Sequence, residues 1–94
     1  MTSKERATLR AMANSIQPIF QIGKGGIGEN LIQQVDEALE ARELIKITVL
    51  ETADVTAREA SDILSKELGA EPVQSIGRKF VLYRRSRENP RIEL

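Results

Sequence analysis

Helical and strand patterns alternate along almost the whole chain, and this alternation restricts the possible folds more than any other feature. Apolar residues at helical spacing indicate three helices, and short runs rich in β-branched residues indicate four strands. The predicted order is α-β-α-β-α-β-β, with strands at 18–22, 44–50, 73–76 and 79–84. Parallel strands need long crossover connections, which the second and third helices supply. We therefore expect a two-layer α/β (α+β) domain with a four-stranded mixed sheet, closed by one antiparallel hairpin.

Two of the predicted helices carry start signals. Thr2 with Glu5, and Thr56 with Glu59, have the spacing of a capping box. Asp54 is an alternative cap for the third helix. These signals predict where the first and third helices begin.

The segment Gly23-Lys24-Gly25-Gly26 links the first predicted strand to the second helix. Glycine lets backbone amides approach a bulky anion, and a helix N-terminus adds unpaired N–H groups and a partial positive charge. Lys24 contributes a full charge. A strand, a G-x-x-G loop and a helix in this order are typical of a phosphate clamp, which KH domains use on an RNA backbone. The same residues are also compatible with a tight turn that binds nothing.

Charge is segregated along the chain although its sum is zero, with 14 basic and 14 acidic residues. Residues 29–71 hold eleven acidic and four basic residues, a net charge of −7. The flanks, 1–28 and 72–94, hold ten basic and three acidic residues, a net charge of +7. If the flanks meet in space, the molecule has a basic pole suited to a polyanion. Solvated helix faces with a frayed basic tail are the alternative.

The composition argues against catalysis. Cysteine and histidine are absent, which removes disulfides, the usual zinc ligands and the commonest general base. The carboxylates of Asp36, Glu37, Glu40 and Glu43 follow helical spacing opposite the apolar stripe, where a solvated face is expected. We predict a cytoplasmic protein that is not an enzyme and that has no cofactor, no metal and no membrane segment.

A nucleotide-binding enzyme is an alternative of another class. Gly23, Gly25 and Gly28 formally match the dinucleotide fingerprint G-x-G-x-x-G. The acidic residue expected about 20 positions later would be Glu43, which precedes the second strand instead of ending it. The context therefore does not support that interpretation.

Several segments, taken in order, resemble one protein family. They are residues 9–13, 22–26, 37–40, 43–47 and 73–84, together with Pro18. On these residues the chain is similar to a stand-alone CRM domain (chloroplast RNA splicing and ribosome maturation) of the bacterial YhbY type. The resemblance covers nearly the whole chain. Family members often have threonine or serine where this chain has Gly28.

The resemblance implies a fold similar to the C-terminal domain of bacterial translation initiation factor three, with an added N-terminal helix. Its sheet would have the strand order one-two-four-three, with the fourth strand antiparallel. It also implies a single RNA-binding domain over residues 1–86, and we expect a loose tail over residues 87–94. Bacterial members are linked to precursor large ribosomal subunits, and plant relatives to intron splicing. The implied RNA contact is the loop Gly23, Lys24, Gly25 and Gly26.

Topology adds neighbours to this loop. A third strand parallel to the first would end at the loop, which places Arg78 within about 25 Å of Lys24. A first helix antiparallel to the first strand would bring its basic residues toward the same edge. The predicted RNA-contacting set, here named the basic rim, is Gly23, Lys24, Gly25, Gly26, Arg78, Lys79, Lys4, Arg6 and Arg10. Arg84 and Arg85 fall nearer the opposite edge and rank lower as contacts.

The aromatic residues indicate how RNA would be recognised. There are three, Phe20, Phe80 and Tyr83, and we expect half or more of them in the core, which leaves little surface for base stacking. We therefore predict that RNA is recognised through its phosphates and its folded shape. The family resemblance implies that this RNA is structured ribosomal RNA and that the protein assists large-subunit assembly. The alternative function is an adaptor that docks its acidic helices on a basic ribosomal protein.

Overall fold

The computed structural model describes all 94 residues and has the predicted order of elements. The helices are α1 (Ser3–Ala13), α2 (Glu29–Arg42) and α3 (Ala57–Leu68). The strands are β1 (Pro18–Ile22), β2 (Leu44–Val49), β3 (Glu71–Ile76) and β4 (Lys79–Tyr83). None of the helices is long and apolar enough to cross a membrane.

Both predicted capping boxes are present. The Thr2 hydroxyl accepts from the Glu5 amide and the Glu5 carboxylate accepts from the Thr2 amide, at 3.1 and 2.9 Å. Thr56 and Glu59 make the same reciprocal pair at 3.1 and 2.8 Å. Thr56, and not Asp54, is therefore the cap of α3.

The four strands form one sheet in the order β1-β2-β4-β3, as the family resemblance implied. β1 and β2 are parallel, and β4 is antiparallel to both of its neighbours. Gly77 has a φ of 59° and Arg78 has no positive φ, as a type II′ turn in the β3–β4 hairpin requires. β1, β2 and β3 therefore all end at the same edge of the sheet, which we call the loop edge.

Two core clusters lie on opposite faces of the sheet. α2 and α3 pack on one face, around Ile45, Ile47 and Phe80. Leu9 and Ala13 of α1 pack on the other face, with strand residues Leu44, Val73, Val81 and Tyr83. Successive strand side chains point to opposite faces, so the strands supply both clusters. The two predicted layers are the sheet and the pair of helices α2 and α3. α1 forms a partial third layer on the opposite face of the sheet.

The direction of α1 differs from the expectation. Arg6 donates to the carbonyl of Pro72 and lies 3.8 Å from the Glu71 carboxylate, so it sits at the start of β3. The helix then crosses toward the start of β1, and its length of about 16 Å matches three strand spacings. The predicted packing of α1 antiparallel to β1 was wrong, because Leu9 and Ala13 of α1 fill the apolar surface shared by β2, β4 and β3.

The end of the chain is held against the domain. Backbone amides of residues 86–88 donate to the carboxylates of Glu40 and Glu43, and those of Arg91 and Ile92 donate to Glu43. Glu43 is fully buried. These contacts hold residues 86–92, where a loose tail was expected from residue 87 onward, and they bury Glu43, which was expected on a solvated face. Glu43 ends α2 with a φ of 67°, so helical periodicity no longer determines where its side chain points.

Candidate nucleic-acid interface

The glycine loop forms a hydrogen-bonded turn at the end of β1, and its outer side faces solvent. The Gly26 amide donates to the Gly23 carbonyl at 3.0 Å, and Gly26 has a φ of 69°. A Cβ added at Gly25 or Gly26 would meet no atom within 4 Å, whereas one at Gly23 would lie 3.4 Å from Leu50. The outer side of the turn is therefore accessible to a bound group, and Lys24 is exposed beside it.

The N-terminus of α2 adds both attraction and repulsion for an anion. Gly28 is the cap residue and supplies no side-chain hydrogen bond, so the amides of the first turn lack a capping partner. Glu29 is exposed in that first turn. Its carboxylate stabilises the helix dipole but repels a second anion at the same place.

The β3–β4 hairpin lies beside the glycine loop. The Leu50 amide donates to the Ile22 carbonyl at 2.8 Å, and the Val49 amide donates to the Arg78 carbonyl at 2.7 Å. The end of β2 thus separates the end of β1 from the hairpin. Two strand spacings, about 10 Å in total, therefore separate the end of β1, two residues before Lys24, from the hairpin that carries Arg78.

The two basic residues of the hairpin differ in their surroundings. Arg78 pairs with Glu51 at 2.8 Å, and the two side chains are 56% and 81% exposed. An exposed pair of this kind is worth about 0–1 kcal/mol, so a phosphate can displace Glu51. Lys79 is exposed, makes no ion pair, and points away from the face on which Phe80 is buried.

The structure brings together only part of the predicted basic rim. Lys24, Arg78 and Lys79 lie at the loop edge with the glycines. Arg6 lies at the start of β3, about 17 Å along that strand from the hairpin. Lys4 and Arg10 are exposed on the same helix, α1. Because α1 does not reach the loop edge, these two residues lie away from the glycine loop.

Arg84 has a structural role. Its guanidinium donates to the Asp36 carboxylate at 2.7 Å and to the Leu68 carbonyl at 3.1 Å, and the side chain is 12% exposed. It therefore joins the end of β4 to α2 and α3. Arg85 is exposed.

The ion pairs reduce the charge segregation seen along the chain. Each of the three pairs, Arg6–Glu71, Arg78–Glu51 and Arg84–Asp36, joins a basic flank residue to the acidic central segment. The basic pole is therefore smaller than the sequence suggested, and unpaired positive charge at the loop edge comes from Lys24 and Lys79.

Aromatic stacking surfaces are scarce, as predicted. Phe80 and Tyr83 are 0% and 8% exposed, and Phe20 is partly buried against the core. Contacts to a nucleic acid at this edge would be made by charged and polar groups.

These features define a small α+β domain with a glycine loop and basic residues at one edge of its sheet. The CRS1 / YhbY (CRM) domain family model matches residues 1–84, and the chain belongs to this family. It is 46% identical to "Probable RNA-binding protein YqeI" of Bacillus subtilis over 100% of this chain and 98% of that protein.

A second protein and a solved structure are also similar to this chain. The chain is 31% identical to an "RNA-binding protein" of Haemophilus influenzae, over 94% of this chain and 89% of that one. The solution structure of a hypothetical protein from Staphylococcus aureus matches with a TM-score of 0.82 and 50% identity, over 100% and 98% of the two chains.

Proposed function

We propose that this protein binds RNA in the cytoplasm, that the RNA is ribosomal RNA of a large-subunit precursor, and that binding assists subunit assembly. The observation that carries the proposal is the open glycine turn beside the unpaired Lys24 and Lys79 at one edge of the sheet. Relatives named as RNA-binding proteins support it.

Binding would rest on phosphates and on the shape of folded RNA. The unobstructed turn at Gly25 and Gly26 and the charge of Lys24 are suited to the sugar–phosphate backbone. The buried aromatic side chains leave little for base stacking. Affinity should therefore fall steeply as salt is added, since counterions are released from RNA on binding.

Fluorescence anisotropy with fragments of bacterial large-subunit ribosomal RNA tests the proposal. Lys24→Gln should weaken binding several-fold and lower the salt slope by about 0.7–0.9, the value for one phosphate contact. Gly25→Leu should also weaken binding while the fold is kept, because Gly25 has no positive φ and its Cβ position is open. Glu29→Gln should strengthen binding by removing a repelling charge.

Lys66→Gln is the matched control, because Lys66 is an exposed lysine on α3, on the opposite face of the sheet. Affinities that do not respond to salt, or variants that all bind like the unmodified protein, would reject RNA binding by this edge.

Crosslinking in cells tests whether the bound RNA is ribosomal. That part of the proposal fails if the recovered RNA is mainly messenger RNA. A partner captured equally well after RNase treatment would favour the adaptor function instead.

A further inference from the structure

Half of one sheet face has no helix over it. α1 covers the half that contains Leu44 and Tyr83. The uncovered half lies next to the loop edge, where strand pairing places four side chains in one row across the sheet. The row is Gln21, Thr48, Lys79 and Ile76, because Gln21 pairs with Thr48, Thr48 with Lys79, and Lys79 with Ile76. Three strand spacings make the row about 14 Å long.

The charge on this open sheet face has one sign. Lys46 precedes Thr48 by two residues and so points to the same face, and neither Lys46 nor Lys79 makes an ion pair. No acidic residue occupies the row or the next one, which contains Pro18, Lys46, Val81 and Gln74. Ordinary surfaces intersperse both signs. Two unpaired cations between hydroxyl and amide groups complement a chain of phosphates.

The open sheet face is continuous with the proposed RNA site. Gln21 lies two residues before Gly23, and Lys79 directly follows Arg78 of the hairpin. None of the three aromatic residues belongs to the row, and the partly buried Phe20 lies beside it, in the same surface depression as Gln21, Thr48 and Lys79. Ile76, 69% exposed at the far end of the row, is its one apolar group.

We propose that RNA bound at the glycine loop continues across this open sheet face. Lys46 and Lys79 neutralise successive phosphates, and Gln21 and Thr48 donate hydrogen bonds to phosphate or ribose oxygens. The inference rests on the proposed function and extends the RNA contact from one loop to the sheet. Sequence reasoning passed over Lys46 and Thr48, although their period-two alternation with Ile45, Ile47 and Val49 is a signal for an exposed face.

The test uses anisotropy with the same ribosomal RNA fragments and three variants, Lys46→Gln, Lys79→Gln and Gln21→Glu. Each lysine variant should lower the salt slope by about 0.7–0.9. Gln21→Glu, which adds a negative charge with almost no change in volume, should weaken binding at least as much as either. Lys66→Gln should bind like the unmodified protein.

The pattern of results separates the two proposals. If Lys24→Gln weakens binding and the three sheet variants do not, the open sheet face is rejected and the glycine-loop site stands. If Lys24→Gln also binds normally, RNA binding by the glycine loop is rejected as well. Chemical acetylation of the unmodified protein, with and without RNA, measures which lysines RNA protects. This measurement needs no substitution, so it does not depend on whether a variant folds. RNA should protect Lys46 and Lys79 but leave Lys66 reactive, and equal reactivity of all three would overturn the inference.

Discussion

At the scale of single residues, Glu43 shows how a local pattern can mislead. Its carboxylate is buried and accepts from the amides of Ser86, Arg91 and Ile92 at 2.8, 2.6 and 2.8 Å. Burial raises the pKa of Glu43, but the amides of Ser86, Ile92 and Arg91 lower it more, so the pKa lies below its ordinary value. The ionised carboxylate thus anchors the end of the chain.

Replacing Glu43 with glutamine should destabilise the protein. The side-chain amide puts an N–H donor where backbone donors converge, and loss of charged hydrogen bonds costs about 1.5–3 kcal/mol. In a domain of this size each kcal/mol lowers Tm by about 4–8 °C. Thermal unfolding followed by circular dichroism measures the change. Glu37→Gln, at an exposed position of the same helix, is the control, and equal Tm values for both variants would contradict this role of Glu43.

At the scale of elements, the ends of helices and strands position the loop edge. The capping box of Thr56 and Glu59 begins α3 just after the loop that follows β2, and that loop is joined to the end of β1 by the Leu50 amide, which donates to the Ile22 carbonyl. The hairpin Gly77–Arg78 returns the chain to the same edge. Each boundary is set by a local hydrogen bond or by a glycine φ, so the sequence predicted these boundaries well.

Thr56→Ala and Asp54→Ala distinguish the two caps that the sequence allowed for α3. Thr56→Ala removes the acceptor for the Glu59 amide and should cost about 1 kcal/mol. Asp54→Ala should change stability by less than about 0.5 kcal/mol, as is usual for exposed sites. Urea titration provides both values. A larger loss for Asp54→Ala than for Thr56→Ala would reverse the assignment of the cap.

At the scale of the whole molecule, long-range contacts redistribute the charges and close the domain. Ion pairs connect the basic flanks to the acidic centre, and residues 86–92 connect the end of the chain to α2. The Glu40 carboxylate accepts from the Arg87 amide, the Ser86 hydroxyl and the Glu88 amide, which lower its pKa from 4.5 to about 2. Stability should therefore depend on pH in the acid range.

The sign of that dependence follows from the lowered pKa values of Glu40 and Glu43. Since both carboxyls bind protons more weakly in the folded state, their stabilisation is complete above pH 4.5 and is lost as the pH falls toward 2. Tm should fall over this interval, and Glu40→Gln should reduce the slope. Amide exchange of residues 86–88 should accelerate at the same pH. A Tm that is constant from pH 5 to 2 would contradict the anchoring contacts.

The sequence by itself determined the order of elements, both capping boxes, the glycine turn and the hairpin. Each depends on contacts between residues a few positions apart, which periodicity and turn chemistry report. The family resemblance supplied the strand order. Only the tertiary structure decided that α1 crosses the sheet, that Glu43 is buried, and that Arg84 binds Asp36 instead of facing solvent. Those outcomes depend on which apolar surfaces remain to be covered and which donors meet a carboxylate across more than 40 residues of chain.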